Sequence, residues 1–195
     1  MFLFAYLIAI IEKKMKVVII NYGAGNTQSV RYAFERLGIT PILSDDIAEI
    51  LTADKVIFPG VGHAKAAMEV LQEKQLDLLI PTLKQPVLGI CLGMQLMCNF
   101  SEEGNTKCLG IFNEDVKLFQ PKLKVPHIGW NTADNNWYYF VHSYYVPVNE
   151  YTTETCNYIT AFSAAMQKRN FYAVQYHPEK SGKGGEELLK KFIAI

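Results

Sequence analysis

The sequence predicts an α/β fold in which a mostly parallel, open sheet carries helices on both faces and continues into an antiparallel β section. Runs of β-branched and other apolar residues alternate with helical patterns through residue 98. The segments between them are short, as in parallel sheets built from strand–helix–strand units. The second half is rich in β-type residues with few helical signals between them, which is typical of antiparallel strands.

The first half contains four predicted strands and the helices that join them. KVVII (16–20) is almost entirely β-branched, as in a strand buried on both faces. The helix after it has an apolar residue every three or four positions and is expected to stop at Gly38. Its predicted inner residues are Val30, Ala33, Phe34 and Leu37. The other predicted elements are strands at 40–44, 55–62 and 86–90, a helix at 64–75 and a helix that opens after Cys91.

The second half contains strand patterns and ends in one helix. GEELLKKFIA (185–194) has helical periodicity, with Leu188, Leu189 and Phe192 facing inward. With no linker or internal repeat, residues 15–195 are expected to form a single domain. The predicted strands are 115–119, 137–146, 158–167 and 171–176.

Composition argues against nucleic-acid binding and indicates reduced cysteines. Lysine plus arginine and aspartate plus glutamate number 19 each, so there is no excess positive charge to bind nucleic acid. The four cysteines lack C-x-x-C spacing, and we interpret them as reduced thiols of a cytoplasmic protein.

The N-terminal segment FLFAYLIAII (2–11) is apolar but much shorter than the roughly 20 residues that a membrane span needs. It also lacks the basic residues that precede the apolar core of a signal peptide. Because MKVVIINYG at Met15 reads like a natural start, we interpret residues 1–14 as a non-essential extension, and expect no membrane partner. The alternative is a helix that binds a membrane surface or a partner.

The stretch VLGICLGMQL (87–96) places Cys91 between two glycines at the end of a buried strand. This pattern predicts a tight strand-to-helix turn, in which side chains at the glycine positions would collide with neighbouring backbone. The turn would lift the thiol out of the sheet to a helix N-terminus, which favours the thiolate. The alternative is a buried cysteine that only fills space, and we interpret Cys98 in that way.

A nucleophilic thiolate needs a base and a group that orients the base. His177 is the strongest candidate of the four histidines, because it ends a strand at the edge where open α/β sheets carry their sites. Glu179 lies two residues on, so an extended chain would place its carboxylate on the side of the imidazole. The sequence therefore predicts a Cys91–His177–Glu179 set.

The turn PGVGH (59–63) ends another strand at the same predicted edge. Its glycines would allow backbone N–H groups to face inward and bind a developing oxyanion. The alternative is a plain turn at a strand end.

Three motifs resemble one family. PGVG (59–62), GICLGMQ (89–95) and HPEKSG (177–182), in this order, are similar to those of the triad, or class I, glutamine amidotransferases. This resemblance covers nearly the whole chain from Met15 and implies a flavodoxin-like sheet, hydrolysis of glutamine to glutamate and ammonia, and neither cofactor nor metal.

Four further segments resemble one branch of the family, the glutaminase subunits of imidazole glycerol phosphate synthase in histidine biosynthesis. They are NYGAGNTQSV (21–30), KVPHIGWN (124–131), YYFVHSYYV (138–146) and AVQYHPEKSG (173–182). Departures are small: Tyr176 stands where Phe is common in the family, and residues 1–14 have no counterpart.

The resemblance implies roles for individual residues. Cys91 would attack the glutamine amide, His177 would transfer protons, and Glu179 would orient His177. The oxyanion and substrate would be bound by Gly60, Val61, Gly62, Leu92, Gln95, Ser143 and Tyr144.

The resemblance also implies a heterodimer with a (β/α)8-barrel cyclase subunit that receives the ammonia. Positions matching the contact with that subunit are Asn26, His127, Trp130 and Lys180. Three alternatives stay open at this stage: a glutaminase serving an anthranilate, GMP or pyridoxal phosphate synthase, a non-catalytic flavodoxin-like regulatory module, and a free-standing thiol hydrolase.

Overall fold

The computed structural model describes residues 15–23, 25–120 and 122–195, so the predicted extension at 1–14 lies outside the described residues. The first half alternates strands and helices as predicted. The strands are β1 (Val17–Ile20), β2 (Ile42–Ser44), β3 (Lys55–Gly60) and β4 (Val87–Cys91). The helices are α1 (Thr27–Arg36), α2 (Ile47–Leu51), α3 (Ala64–Glu73), α4 (Leu76–Leu79), which continues into a 3-10 turn (Ile80–Thr82), and α5 (Leu92–Leu96).

The second half consists of strands, one 3-10 turn (Pro178–Lys180) and a closing helix, α6 (Gly182–Ala194). Its strands are β5 (Phe100–Ser101), β6 (Thr106–Lys107), β7 (Asp115–Leu118), β8 (His127–Ala133), β9 (Asn136–His142), β10 (Tyr144–Tyr145), β11 (Thr152–Asn157), β12 (Ala161–Lys168) and β13 (Phe171–Val174).

The main sheet has the strand order β2-β1-β3-β4-β13-β12-β11-β8-β9. In this order, the neighbouring strands from β2 through β13 are parallel to each other. The change occurs at the β13–β12 pair, and that pair and every later one are antiparallel. This arrangement confirms the predicted fold class. Because β3, β4 and β13 run in the same direction side by side, the turns after them meet at one edge of the sheet.

A second sheet of the order β10-β7-β5-β6 was not predicted. Two of its strands, β5 and β6, are only two residues long, too short for an alternating pattern to be recognised.

The two faces of the parallel section bury separate apolar clusters. Along β1, Val18 and Ile20 face the cluster that contains α3 and α5, whereas Val17 and Ile19 face the cluster that contains α1 and α6. This explains why the strand reads as an uninterrupted apolar run. Helix α1 ends as predicted, with Gly38 just beyond it at a φ of +79°.

Helix α5 ends at Leu96, earlier than the apolar pattern after Cys91 suggests. Cys98 is nevertheless fully buried in the core, as expected, although it lies beyond the helix. None of the helices in the described part of the chain is long and apolar enough to cross a bilayer.

Candidate active site

Cys91 is the last residue of β4 and has a left-handed backbone, with φ at 54° and ψ at −110°. Such a conformation is strained in a residue with a side chain. Two glycines at the turn leave no room for a Cβ: one on Gly93 would lie 2.0 Å from the Phe58 carbonyl oxygen, and one on Gly60 2.8 Å from the Gly93 nitrogen. At Gly89 a Cβ would meet the sulfur of Met97 at 2.9 Å. Close packing therefore fixes the predicted strand-to-helix turn.

The sulfur of Cys91 lies among polar groups from three segments. It is 3.8 Å from the Val141 carbonyl oxygen and 3.8 Å from Nε2 of Gln175, and it shares the wall of one cavity with the ring of His177, with which it interacts electrostatically. The chain thus brings together a thiol and an imidazole that are separated by most of the second half of the sequence.

His177 lies three residues beyond the end of β13, and it precedes a 3-10 turn. Its backbone is fixed at both ends: its N–H donates to the Tyr139 carbonyl at 2.9 Å, and its carbonyl accepts from the Ser181 hydroxyl at 2.6 Å. Its ring Nδ1 is 2.8 Å from Oε1 of Glu179. Burial alone would lower the pKa of His177, but the interactions with Cys91 and Glu179 outweigh it and raise that pKa to about 10.

The contact between Glu179 and His177 has a different origin from the one we expected. An extended chain was predicted here, whereas residues 178–180 form a 3-10 turn that brings the carboxylate back to the imidazole. The Glu179 side chain is only 1% exposed. Its second oxygen, Oε2, has no hydrogen-bond partner among the described residues, so the carboxylate interacts chiefly with His177.

A cavity of about 310 Å³ opens in front of the thiol. Two charged residues of opposite sign, Glu103 and Lys180, lie on its wall. Its other lining residues are Val61, Gly62, Cys91, Leu92, Gln95, Pro126, Val141, His142, Ser143, Tyr144 and His177.

The turn after β3 lies beside the thiol, because Gly60 pairs with Cys91 in the sheet register. Val61 and Gly62 reach the cavity wall, as does Leu92, whereas Gly60 packs against the turn behind the thiol. Gly62 has a φ of +100°, which favours glycine, and open space where a Cβ would stand.

The predicted substrate residues Gln95, Ser143 and Tyr144 all line the cavity. Gln95 is held there because its Nε2 donates to the Tyr144 carbonyl at 3.0 Å and to Oε1 of Gln175 at 2.9 Å.

Glu103 and Gln175 were not predicted from the sequence. Glu103 lies in a loop with no recognisable motif, where its Oε2 accepts from the Ala64 N–H at 2.7 Å. Gln175 lies inside the quoted motif AVQYHPEKSG, two residues before His177, and that spacing is the signal that could have identified it.

His142 also lines the cavity, but both of its ring nitrogens are engaged. Nδ1 donates to the Tyr144 carbonyl at 2.7 Å, and Nε2 lies 3.0 Å from Nδ1 of His127. Burial lowers the pKa of His142 to about 3 and that of His127 to about 4, so both rings are neutral near pH 7. His177 is therefore the histidine of this cavity that is arranged to exchange a proton with the thiol.

The predicted partner-contact residues do not share one environment. Trp130 is 53% exposed and Lys180 is exposed at the cavity rim. Asn26 caps α1 by accepting a hydrogen bond from the Ser29 N–H at 3.2 Å. His127 is buried against the rings of Phe140 and Tyr158, so its side chain is not on the surface.

Within the described ranges, no group of three or more histidine, cysteine, aspartate or glutamate side chains could hold a metal ion.

Comparison with known proteins matches residues 18–195 to the family model "Glutamine amidotransferase class-I". The chain is 54% identical over 196 residues to "Imidazole glycerol phosphate synthase subunit HisH" of Bacteroides fragilis (strain YCH46), and 48% identical over 196 residues to the protein of the same name from Escherichia coli (strain K12). Both alignments cover 93% of this chain and 100% of the relative.

Solved structures show the same fold at low sequence identity. One is described as a glutamine amidotransferase, with a TM-score of 0.73 and 14% identity over 91% of this chain and 97% of the other. Another is described as PurLQS from Thermotoga maritima, with a TM-score of 0.66 and 15% identity over 93% of this chain and 98% of the other. Since the family model spans nearly all of the described residues, the chain belongs to the class I glutamine amidotransferase family.

Proposed function

We propose that the chain is the glutaminase subunit of an imidazole glycerol phosphate synthase, acting in histidine biosynthesis. The observation that carries the proposal is that Cys91 and His177 lie together on the wall of one cavity, with Glu179 2.8 Å from the His177 ring. The relatives that are 54% and 48% identical support the choice of synthase, because their names give that enzyme.

The reaction proceeds through a thioester. His177 takes the proton of the Cys91 thiol, and the sulfur attacks the amide carbon of glutamine. The C–N bond then breaks, and His177 passes that proton to the nitrogen, which leaves as ammonia. Water then attacks the thioester while His177 takes one of its protons, which releases glutamate and restores the thiol. Glu179 orients His177 and stabilises its cationic form while His177 holds the proton in each step.

The oxyanion that forms during each attack is bound by backbone N–H groups of Leu92 and of the turn at Val61 and Gly62. The position of these three residues on the cavity wall supports this role. One such donor contributes about 3 to 4 kcal/mol to the stability of the transition state in other enzymes.

Charge supports glutamine as the occupant of the cavity. Free glutamine carries a positive amino group and a negative carboxylate, and Glu103 and Lys180 supply one group of each opposite sign. Gln95, Ser143 and Tyr144 provide polar contacts on the same wall.

The ammonia passes to a (β/α)8-barrel cyclase subunit, with which the chain forms a heterodimer in the cytoplasm. Trp130 and Ile128 on β8 support a docking surface here, since they are 53% and 57% exposed, and a large exposed aromatic residue is a common interface anchor. The contact residues are Trp130, Lys180 and Asn26, and the buried His127 supports β8, the strand that carries Trp130.

Replacement of the nucleophile tests the function. Cys91→Ala in the complex with the cyclase subunit is expected to lower glutamine-dependent synthesis by at least about a thousand-fold, because no thioester can form. Synthesis from added ammonium salt should be unchanged. Cys108→Ala is a matched control, since Cys108 is 7% exposed, like Cys91, but does not line the cavity. Loss of both activities in Cys91→Ala would mean that Cys91 is structural, and would count against the proposal.

A further inference from the structure

We propose that Gln175 is a further catalytic residue, whose side-chain amide donates a hydrogen bond to the sulfur of Cys91 and stabilises the thiolate. The role in glutamine hydrolysis rests on the proposed function, whereas the hydrogen bond itself does not. Gln175 is fully buried, and its Nε2 lies 3.8 Å from the sulfur. This distance is within the range of N–H···S contacts, which are longer than N–H···O bonds because sulfur is larger.

The backbone directs this side chain towards the thiol. Gln175 follows β13 directly, and its own N–H donates to the Ala164 carbonyl of β12 at 2.8 Å, which extends the ladder by one residue. The chain bends at Gln175 and Tyr176, and Gln175 and His177 both reach Cys91, one with a neutral donor and the other with an ionisable ring.

The neighbouring hydrogen bonds fix which end of the amide faces the sulfur. The Tyr144 carbonyl can only accept, so Gln95 must donate to it through Nε2. The other hydrogen of that nitrogen then donates to Gln175, whose oxygen is the acceptor. This leaves the NH2 group of Gln175 directed at Cys91. If the Gln175 amide were reversed, its nitrogen would face Nε2 of Gln95. If the Gln95 amide were reversed, its oxygen would face the Tyr144 carbonyl oxygen.

This arrangement also assigns a direction to Gln95. Both hydrogens of its amide are used, one by Tyr144 and one by Gln175, so its carbonyl oxygen is the polar atom left for an occupant of the cavity. The chain of bonds thus links the thiol to the wall that receives the substrate. From Gln95 to Gln175 and from Gln175 to Cys91, each N–H donates in the direction of the sulfur. This direction suits a thiolate, because a thiolate accepts hydrogen bonds and cannot donate one.

Other ionisable groups near Cys91 have different effects. His177 exchanges a proton with it, and Tyr22 is buried and neutral because its hydroxyl donates to the Pro59 carbonyl and burial raises its pKa far above the ordinary value. The other titratable or charged residues that line the cavity are Glu103, His142, Tyr144 and Lys180, and Glu179 contacts His177. Gln175 differs from all of them in that it does not titrate, so it supports the thiolate at every pH.

The test measures the rate at which iodoacetamide alkylates Cys91 in the full chain between pH 5 and 10, followed by mass spectrometry of the Cys91 peptide. Gln175→Met keeps the size of the side chain and removes the donor. We expect it to raise the pH midpoint of alkylation by about one unit, the low end for losing a hydrogen bond to a charged group, because the N···S distance is long. Gln175→Glu should raise the midpoint further, because it places a carboxylate beside the sulfur.

Gln167→Glu is the matched control, since it makes the same chemical change at an exposed position of β12 and should leave the midpoint unchanged. Circular dichroism establishes that each variant is folded. An unchanged midpoint in a folded Gln175→Met variant would overturn the proposal. If neither Gln175 variant folds, the wild type decides: the side-chain amide nitrogen signal of Gln175 must move when Cys91 is alkylated, and a signal that stays in place overturns the proposal.

Glutamine turnover separates this proposal from the proposed function. If the chain hydrolyses glutamine in the complex with the cyclase subunit, Gln175→Met should lower kcat/KM by up to about ten-fold at pH values well below the wild-type alkylation midpoint, in step with the shifted midpoint. If the wild type does not hydrolyse glutamine but the midpoint still shifts, the proposed function fails while the hydrogen bond to the thiolate stands.

Discussion

The strand end that carries Cys91 and the strand end that carries His177 are neighbours in the sheet, yet they are held in different ways. Around Cys91 the backbone itself is strained, and Gly93 and Gly60 pack so closely that neither can carry a Cβ. Around His177 the backbone is ordinary, and hydrogen bonds from Ser181, to Tyr139 and with Glu179 hold it. The nucleophile is thus positioned by steric exclusion and the base by polar partners. The first site should fail when an atom is added and the second when a partner is lost.

The largest effect is expected from Gly93→Ala, which adds one atom beside the nucleophile. The new Cβ would lie 2.0 Å from the Phe58 carbonyl oxygen, so β3 and the turn after Cys91 would have to separate. We expect a loss of about 3 kcal/mol or more in the free energy of unfolding, measured by urea denaturation, and loss of glutaminase activity.

Gly62→Ala is the comparison for that variant. Its Cβ would enter open space, so only the φ of +100° opposes it, at a cost of about 1 kcal/mol. Equal losses in the two variants would contradict steric exclusion as the reason for Gly93.

The same contrast explains how much of the site the sequence could predict. The turn at Cys91 was predictable because glycines at fixed spacing carry the steric requirement in the sequence itself. The contact between His177 and Glu179 was predicted for a reason that proved wrong, since the residues form a 3-10 turn and not extended chain. Glu103 and Gln175 were missed because their roles come from tertiary contacts, to the cavity and to the thiol, that leave no periodic pattern.

The elements of the fold also divide into those that the sequence predicts and those that it does not. Strands buried on both faces, such as β1, were predicted because their apolar runs are continuous. Strand β8 was not predicted: only its two end residues are buried, and Gly129 interrupts it, so no alternating pattern stands out. Helix α2 was missed because five residues are too few to show helical periodicity, although Asp46 caps it by accepting from the Glu49 N–H at 2.8 Å.

A smaller effect is expected at the base, where Glu179→Gln removes a charged partner. The pKa of His177 is about 10 in the folded chain and near its ordinary value of 6.5 in the unfolded chain. A raised pKa means that protonation stabilises the folded state, fully below pH 6.5 and progressively less as the pH rises through about 10. The wild type should therefore exceed Glu179→Gln by about 2 kcal/mol in free energy of unfolding at pH 6.

This difference should shrink towards pH 10, and urea denaturation at pH 6, 8 and 10 measures it. The variant is needed as a reference because Cys108 and Cys156 also titrate at high pH: burial raises the pKa of each thiol to about 12, which destabilises the fold of both proteins equally. A difference that stays constant with pH, or grows as the pH rises, would contradict the assignment of His177 as a cation held by Glu179.

The smallest effect is expected at Cys91 itself, where two substitutions remove the thiol and differ only in backbone freedom. Cys91→Ala keeps a Cβ at a φ of 54° and a ψ of −110°, whereas Cys91→Gly adopts that conformation without strain. Relief of the strain contributes about 1 to 3 kcal/mol, and the greater freedom of glycine in the unfolded chain offsets about 1 kcal/mol of it. Cys91→Gly should therefore be about 1 kcal/mol more stable than Cys91→Ala by thermal and urea denaturation, although both lack glutaminase activity. If the alanine variant were the more stable of the two, the backbone at Cys91 would not be strained, and the nucleophile, like the base, would be held by its side-chain contacts.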